Sequence, residues 1–366
     1  MRNCLVVLKN KKMCSEEAEY LSCTRAFASA GVYFDKIAVV AFDSSRDIIF
    51  QLKDCHANYD NSVIMCPRTM DTTLKDYLQP LYGASFDGSG ILDNGNLSVF
   101  MYFTDGGNAS DFERFAEHIN SKLQTPFERS YIKAVGAPRE DIIRIADEAK
   151  SMNPSLECNV FERYGDYTIE LVYPRGQTKV MSEIVRKFVS TLDDYVYALE
   201  NTSIAEQLFQ LLKLRKLKMS CAESFTGGGV GRRIVEIPGA SEVYYEGLNT
   251  YSNESKKERL GVKESTLQTE GAVSAETAKQ MANGLMWRGH CNIAVSTTGI
   301  AGPKSDNTSK PVGLCYIAVA VKDGLTFKGT TAYKYNISGD RKTITETAIN
   351  YALFLAYRSI KQNVTQ

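Results

Sequence analysis

The sequence predicts an α/β protein built from more than one domain. Two observations carry that expectation. The chain of 366 residues exceeds the usual single-domain length, and short apolar runs alternate with segments of 3.6-residue apolar spacing. The character of that alternation changes near residue 125 and again near residue 200. Hydrophobic residues at 43% and charged residues at 23% are ordinary for a globular chain. Forty-three basic against 43 acidic side chains leave no net charge, which argues against a general nucleic-acid binder. No apolar run approaches the ~18 residues of a membrane span. The start "MRNCLVVLKNKKMCSEEAEY" lacks a small-residue cleavage site, so a cytoplasmic location is expected.

Residues 1–125 read as an α/β domain with parallel strands. "CLVVL", "KIAVVAF" and "SVIMC" are strand-like, separated by the helical "SEEAEYLSCTRAFASAG" and "SRDIIFQLKDCH". "FDGSGILDNGNLS" is turn-rich and leads into the strand "SVFMYFT". Residues 126–200 read as a small α+β domain. "YIKAVGA" and "DYTIELVYP" are its strands, and "REDIIRIADEAKSM" and "TKVMSEIVRKFVSTLDDYV" carry helical spacing. "ALENTSIAEQ" marks the next boundary, with Thr202 or Ser203 as N-cap.

Residues 201–366 form the third part. The helix "SIAEQLFQLLKLRK" precedes the strand "LKMSCAES", and "FTGGGVGRRIVEI" then opens a helix through three glycines. Backbone N–H groups at such a helix start suit a phosphate; glycines serve tight turns and close packing equally well. The spacing is neither a Walker A loop nor G-x-G-x-x-G. The helix "SAETAKQMANGLMWRG", capped by Ser274, leads to "CNIAVSTTGIAGP", a buried strand breaking into a second small-residue turn. "PVGLCYIAVAV" and "LTFKGTTAYKY" are further strands, and "SGDRKTITETAINYALFLAYRSI" is a closing helix. Ligands of open α/β sheets sit beyond the carboxyl ends of strands. Those ends carry Glu223, Ser224, Thr226, Gly227, Gly228, Thr297, Thr298, Gly299 and Gly302, which converge on one expected substrate pocket, with Arg341 as a further phosphate contact. Nine cysteines without a Cys-x-x-Cys and three scattered histidines form no zinc constellation, so no metal and no cofactor is expected.

"AESFTGG", "PGASEVYYEGLNTYSNESK", "GAVS", "TTGIAGP", "KPVG" and "SGDR" occur in order over about 160 residues. Together they resemble the C-terminal domain of the CinA, or competence-damage-inducible, family, whose enzymes are nicotinamide-nucleotide amidohydrolases. The resemblance implies hydrolysis of the carboxamide of nicotinamide mononucleotide to nicotinate mononucleotide and ammonia, in a homo-oligomer, expected as a dimer. It implies Ser241 as nucleophile, Lys256 as base and Tyr251 as their companion. Without a suitable histidine, a neutral lysine can activate a serine. A lysine of pKa ~10.4 must then fall by roughly three units, about 4 kcal/mol, to act near neutrality. Burial or the neighbouring cations Lys257 and Arg259 would supply this, and N–H groups of a glycine turn would hold the oxyanion. On the residues alone, Ser241 capping a turn and Lys256 solvated on a helix stays open, with Glu223 as the next base.

Two departures from the family pattern stand out. Phe225 replaces a cysteine, and "KSD", Lys304 to Asp306, replaces Asp-Gly-Gly. The first two parts resemble full-length CinA proteins more faintly. There a molybdopterin-binding-like domain, associated with ADP-ribose pyrophosphatase activity, carries T-G-G-x-G-P-T-x-D-D after a strand. Here "VIMCPRTMDTTLKDYL" has no glycine pair, with Asp71 before Asp76, which implies a degenerate scaffold. A catalytically inactive binding or regulatory protein, and residual pyrophosphatase activity in the N-terminal part, are the alternative functions.

Overall fold

The computed structural model describes residues 1–9, 23–24, 26–28, 32–41, 44–107, 109–122, 127–304 and 309–364. It forms two compact units, Met1–Pro126 and Phe127–Gln366. The helix expected over residues 15–31 lies mainly outside the described residues.

In the first unit, β1 (Asn3–Lys9), β2 (Lys36–Ala41), β3 (Asn61–Cys66), β4 (Ile91–Asp93) and β5 (Ser98–Phe103) form a sheet of order β2-β1-β3-β5-β4. All its pairings are parallel except β4 with β5. Alternate residues of β1 enter two cores. Cys4, Val6 and Leu8 meet the helices α1 (Ser45–Asn58) and α2 (Asp71–Tyr82), while Leu5 and Val7 meet α3 (Ala109–Ser121). A strand covered on both faces has no polar side, which is why "CLVVL" is continuously apolar. The turn-rich segment before "SVFMYFT" contains the three-residue strand β4, concealed in sequence by its Asp, Gly and Asn flanks. After β3, the chain passes through a 3-10 turn at Arg68–Met70 into α2, where Asp71 pairs with Lys75 (2.8 Å).

The second unit holds two sheets. The strands β6 (Phe127–Val135), β7 (Glu157–Arg163), β8 (Asp166–Pro174) and β9 (Val196–Ala198) form an antiparallel sheet of order β7-β8-β6-β9. With α4 (Arg139–Met152) between β6 and β7 and α5 (Thr178–Leu192) between β8 and β9, this is a split βαβ arrangement. One face, Ile132, Ala134, Ile169 and Leu171, packs on Ile142, Ile145, Ile184 and Phe188 of the helices. The strand β7 carries little apolar alternation because most of its side chains are exposed or half-buried.

The second sheet has order β11-β10-β12-β13-β14: β10 (Met219–Glu223), β11 (Tyr244–Asn249), β12 (Ile293–Gly299), β13 (Leu314–Asp323) and β14 (Thr326–Asn336). β10, β11 and β12 are parallel, and β13 and β14 run antiparallel to them in a meander. Asn249, Glu223 and Thr297 lie in register, so β10 and β11 end level while β12 runs two residues further to Gly299. One face, with Met219, Cys221, Ile293 and Val295, packs against α6 (Ile204–Leu214), α7 (Gly229–Val235) and α11 (Arg341–Asn363). The other face is lined by Ala222, Ala294, Ala318 and Ala320 and receives α8 (Asn253–Leu260), Leu267 of the short α9 (Glu264–Thr269) and α10 (Ala275–Trp287). Ser203 starts α6 with a reciprocal capping box to Glu206.

Alanines on the sheet let α10 lie close, and Gly284 lets it meet α8. A Cβ at Gly284 would stand 2.1 Å from the Leu260 carbonyl oxygen at the end of α8. That obstacle is backbone, which cannot rotate aside. Alanine is the better helix former by about 0.5–1 kcal/mol, but overpacking costs about 1–3 kcal/mol. Gly284→Ala is therefore expected to lower stability by about 1–2 kcal/mol in urea denaturation. Unchanged or raised stability would show that this contact does not set the position of α8.

Candidate active site

The level ends of β10 and β11, beside the longer β12, place Ser224 at a three-strand junction. Its N–H donates to the Thr297 carbonyl (3.0 Å), while the Thr250 N–H donates to the Glu223 carbonyl (2.8 Å). These bonds carry the sheet one residue past the strand ends and fix the Ser224 backbone. The side chain is 8% exposed.

Lys256 reaches Ser224 from α8. That helix starts at Ser252, whose hydroxyl accepts the Ser255 N–H (3.1 Å). Lys256 Nζ lies 3.1 Å from Ser224 Oγ, 2.8 Å from the Thr250 carbonyl oxygen and 3.1 Å from the Tyr251 carbonyl oxygen. Lys256 is 1% exposed, and burial lowers its pKa from 10.5 to about 8. Carbonyl oxygens only accept, so two N–H groups go to Thr250 and Tyr251. The third position faces the serine hydroxyl. A charged amine donates there; a neutral one presents its lone pair to Oγ–H. This geometry can move a proton from serine to lysine.

Ser241 lies elsewhere. It sits in a 3-10 turn, Ala240–Glu242, ahead of β11, where it is exposed and its carbonyl accepts from Lys218 Nζ (3.1 Å). The six residues of β11 separate that turn from the carboxyl edge, a span of roughly 20 Å at about 3.3 Å per residue. The pairing of Ser241 with Lys256 is corrected: Ser224 is the serine in contact with the lysine. Nor is Lys256 a solvated helix residue. Tyr251 contributes its backbone carbonyl to the lysine, and its side chain is 67% exposed.

Glu223 is corrected as a substrate contact and as a base. Its carboxylate accepts from Thr226 Oγ1 (2.7 Å) and from the N–H groups of Gly228 (3.1 Å), Val230 (3.1 Å) and Gly231 (2.9 Å), and is 1% exposed. The helix start expected to hold a phosphate is thus occupied by the protein's own carboxylate. Gly227 and Gly228 adopt φ of 62° and 95°, so their freedom serves the turn. The Thr226 hydroxyl lies between Glu223 and Thr297 Oγ1 (2.7 Å), and Thr298 donates to the Ala272 carbonyl (2.7 Å). Both hydroxyls are spent inside the fold.

Beside the dyad lies a pocket of about 150 Å³ lined by Phe225, Tyr251, Gly299, Ile300, Ala301, Gly302, Lys304 and Arg341. Gly299 permits close packing, since a Cβ there would stand 2.6 Å from Cys315 Cβ and 3.0 Å from the Phe225 ring. Arg341 opens α11 and donates to the Gly302 carbonyl (2.8 Å). The pocket therefore joins two cations and two aromatic side chains, one of which, Phe225, follows Ser224 in the chain. Of the departing loop, Lys304 lines this pocket, and Ser305 and Asp306 lie outside the described residues. The carbonyls of Thr250 and Tyr251 had no sequence signal, because backbone acceptors are the same in every residue. Ser224 had one: it ends a strand in a small-residue cluster.

Residues 201–360 match the family model of the CinA C-terminal domain. This part of the chain belongs to the CinA family. A putative competence-damage inducible protein of Halothermothrix orenii is 38% identical over 224 residues, covering 60% of this chain and 52% of that relative. A second, from Caldicellulosiruptor saccharolyticus, is 42% identical over 181 residues, covering 50% and 43%. The chain thus spans about half the length of these curated relatives. The crystal structure of the competence/damage inducible protein CihA from Agrobacterium tumefaciens is 36% identical, with 42% of this chain and 90% of that one covered and a TM-score of 0.39. No helix among the described residues is long and apolar enough to cross a membrane.

The role of Glu223 in this CinA domain is open to test. Three of the donors meet one carboxylate oxygen and the Gly231 N–H meets the other, so Glu223→Gln sets an amide N–H₂ against the Gly231 N–H, leaves that donor unpaired and removes the charge from the remaining bonds. A loss of about 3 kcal/mol is expected in urea denaturation. A variant as stable as the parent would show that the carboxylate does not hold the turn.

Proposed function

We propose that the CinA domain hydrolyses the carboxamide of nicotinamide mononucleotide, with Ser224 as nucleophile and Lys256 as general base. The observation that carries this reading is the 3.1 Å approach of a buried lysine amine to the Ser224 hydroxyl. Ser224 Oγ attacks the amide carbon as its proton passes to Lys256 Nζ. The tetrahedral intermediate collapses with cleavage of the C–N bond, and Lys256 returns the proton to the leaving nitrogen, which departs as ammonia. Water, deprotonated by the same amine, then cleaves the acyl-serine ester and releases the carboxylate. The N–H groups of Gly227 and Gly229 bond within the turn and that of Gly228 bonds Glu223. This leaves the N–H groups of Phe225 and Thr226 as the nearest oxyanion donors. Phe225 and Tyr251 suit a pyridine ring, and Lys304 and Arg341 suit a phosphate. At about 150 Å³ the pocket holds one portion of a nucleotide, since whole-ligand sites run ~300–1,000 Å³.

Ammonia release from nicotinamide mononucleotide, with nicotinamide as control, tests the reaction. Ser224→Ala and Lys256→Ala are each expected to lower turnover by about a thousandfold or more, and the double variant little further. Lys256→Arg should not recover activity, because a guanidinium stays protonated. Ser241→Ala should stay within about twofold of the parent. Full activity in Ser224→Ala would overturn the assignment, and parent protein releasing no more ammonia than Ser224→Ala would overturn the reaction.

The pH dependence follows from the lysine. Its amine accepts a proton only when neutral, and burial brings its pKa to about 8. The rate constant kcat/KM should therefore rise with pH through about 8 and level off above it. A profile flat between pH 6 and pH 9 would remove Lys256 as the base.

A further inference from the structure

The unit Phe127–Gln366 contains a second, larger cavity. It measures about 630 Å³ and lies between the β7–β8 turn and the start of α11. Its size falls within the ~300–1,000 Å³ of small-molecule sites. Four tyrosines, Tyr164, Tyr167, Tyr335 and Tyr351, line it, together with hydroxyls such as those of Thr343 and Thr347. Burial raises the phenol pKa of Tyr167 and Tyr351 and pushes that of Tyr335 up to about 12, so these groups remain neutral hydroxyls. Arg163 on the lining supplies a cation. Glu162 also lies there, and its carboxylate accepts the Gly165 N–H (2.7 Å).

Tyr164 has a backbone that its side chain disfavours. Its φ is 56°, followed by 72° at Gly165, a left-handed pair that favours Asn-Gly over Tyr-Gly. The turn is held in place. Asn350 of α11 donates to the Tyr164 carbonyl (3.0 Å), and the Gly136 N–H donates to the Gly165 carbonyl (2.8 Å). Gly165 lies so near the Tyr351 ring that a Cβ would stand 2.8 Å away. A bulky residue retained in such a conformation at the wall of a cavity points to a use for its ring.

Flat aromatic walls with neutral hydroxyls suit a nucleobase, and the cation suits a phosphate on the attached sugar. The far wall is built from Thr343 and Thr347, on the first two turns of α11. The same helix begins with Arg341, which lines the catalytic pocket. We propose that this cavity binds a nucleoside or nucleoside monophosphate, and that its occupancy alters substrate affinity at the catalytic pocket through Arg341. The effect on affinity rests on the amidohydrolase reading; the binding itself does not.

Calorimetry on the full chain with adenosine and with AMP tests the binding. One site per chain in the micromolar range is expected, with AMP tighter than adenosine by tenfold or more and that advantage lost in Arg163→Ala. Tyr164→Asn should weaken binding by at least tenfold while the Tm stays level or rises, since asparagine tolerates the left-handed backbone. Thr343→Trp, which fills the cavity, should abolish binding. No heat with either ligand, or binding unchanged in both Tyr164→Asn and Thr343→Trp, would overturn the site. With nicotinamide mononucleotide as substrate, saturating AMP should change KM by threefold or more with kcat within twofold. An unchanged KM despite measured binding would overturn the regulatory role. Parent protein that releases no ammonia would sink the proposed reaction and leave the calorimetric result to decide the site.

Discussion

The amine of Lys256 is taken out of water and held between two backbone carbonyls, and the chemistry proposed for the C-terminal sheet depends on that burial. Lowering its pKa from 10.5 to about 8 corresponds to a penalty on the charged form on the order of 3 kcal/mol. Burial is the cause, and no neighbouring cation is needed. Lys257, expected as a helper, instead pairs with Glu254 (3.5 Å) and Glu264 (3.3 Å) on the surface. The supporting structure follows from the need to hold this amine. Alanines on the sheet and Gly284 on α10 let the layers close over α8, so that an eight-residue polar helix has one lysine and Leu260 fully covered.

Strand geometry explains how two adjacent polar residues take opposite tasks. Successive side chains of β10 point to opposite faces. Cys221 belongs to the core beneath α7, and Ala222 to the core beneath α8 and α10. Glu223 continues the Cys221 side, where Cys221 Sγ lies 3.3 Å from its carboxylate and where the N–H groups at the start of α7 converge. Ser224 continues the Ala222 side and so faces Lys256. A one-residue slip of β10 would exchange the two faces, leaving a carboxylate beside the lysine and a hydroxyl beneath the helix start. The register bonds to Thr250 and Thr297 prevent it.

The split βαβ sheet meets the C-terminal domain along α11. Asn350 holds the Tyr164 carbonyl, Tyr357 donates to the Tyr197 carbonyl (3.1 Å), and Val135 and Tyr197 enter the same core as the helix. A single 23-residue helix therefore meets the middle sheet through Asn350 and Tyr357 and lines the pocket of Phe225 and Tyr251 with its first residue, Arg341. A rigid element in contact with both regions gives a physical route between them.

Much of the architecture was legible in the chain. Apolar runs alternating with helical spacing announced parallel strands, Thr202 or Ser203 and then Ser274 announced helix starts, and the ordered motifs from "AESFTGG" to "SGDR" announced a CinA domain. The short strands β4 and β9 were not, because three residues carry too little pattern. The sequence also placed the polar strand ends in one region and supplied a serine and a lysine. The resemblance named Ser241, and the structure puts Ser224 on the lysine instead; both serines lie in small-residue turns, one on either side of α7 and at opposite ends of parallel strands. Chain order puts Ser241 ahead of β11, but whether that end lies beside the carboxyl end of β10 depends on whether the two strands pair parallel or antiparallel. The tertiary structure decided it: parallel registry put Ser241 at the amino edge, and burial against alanine and glycine put Lys256 on Ser224.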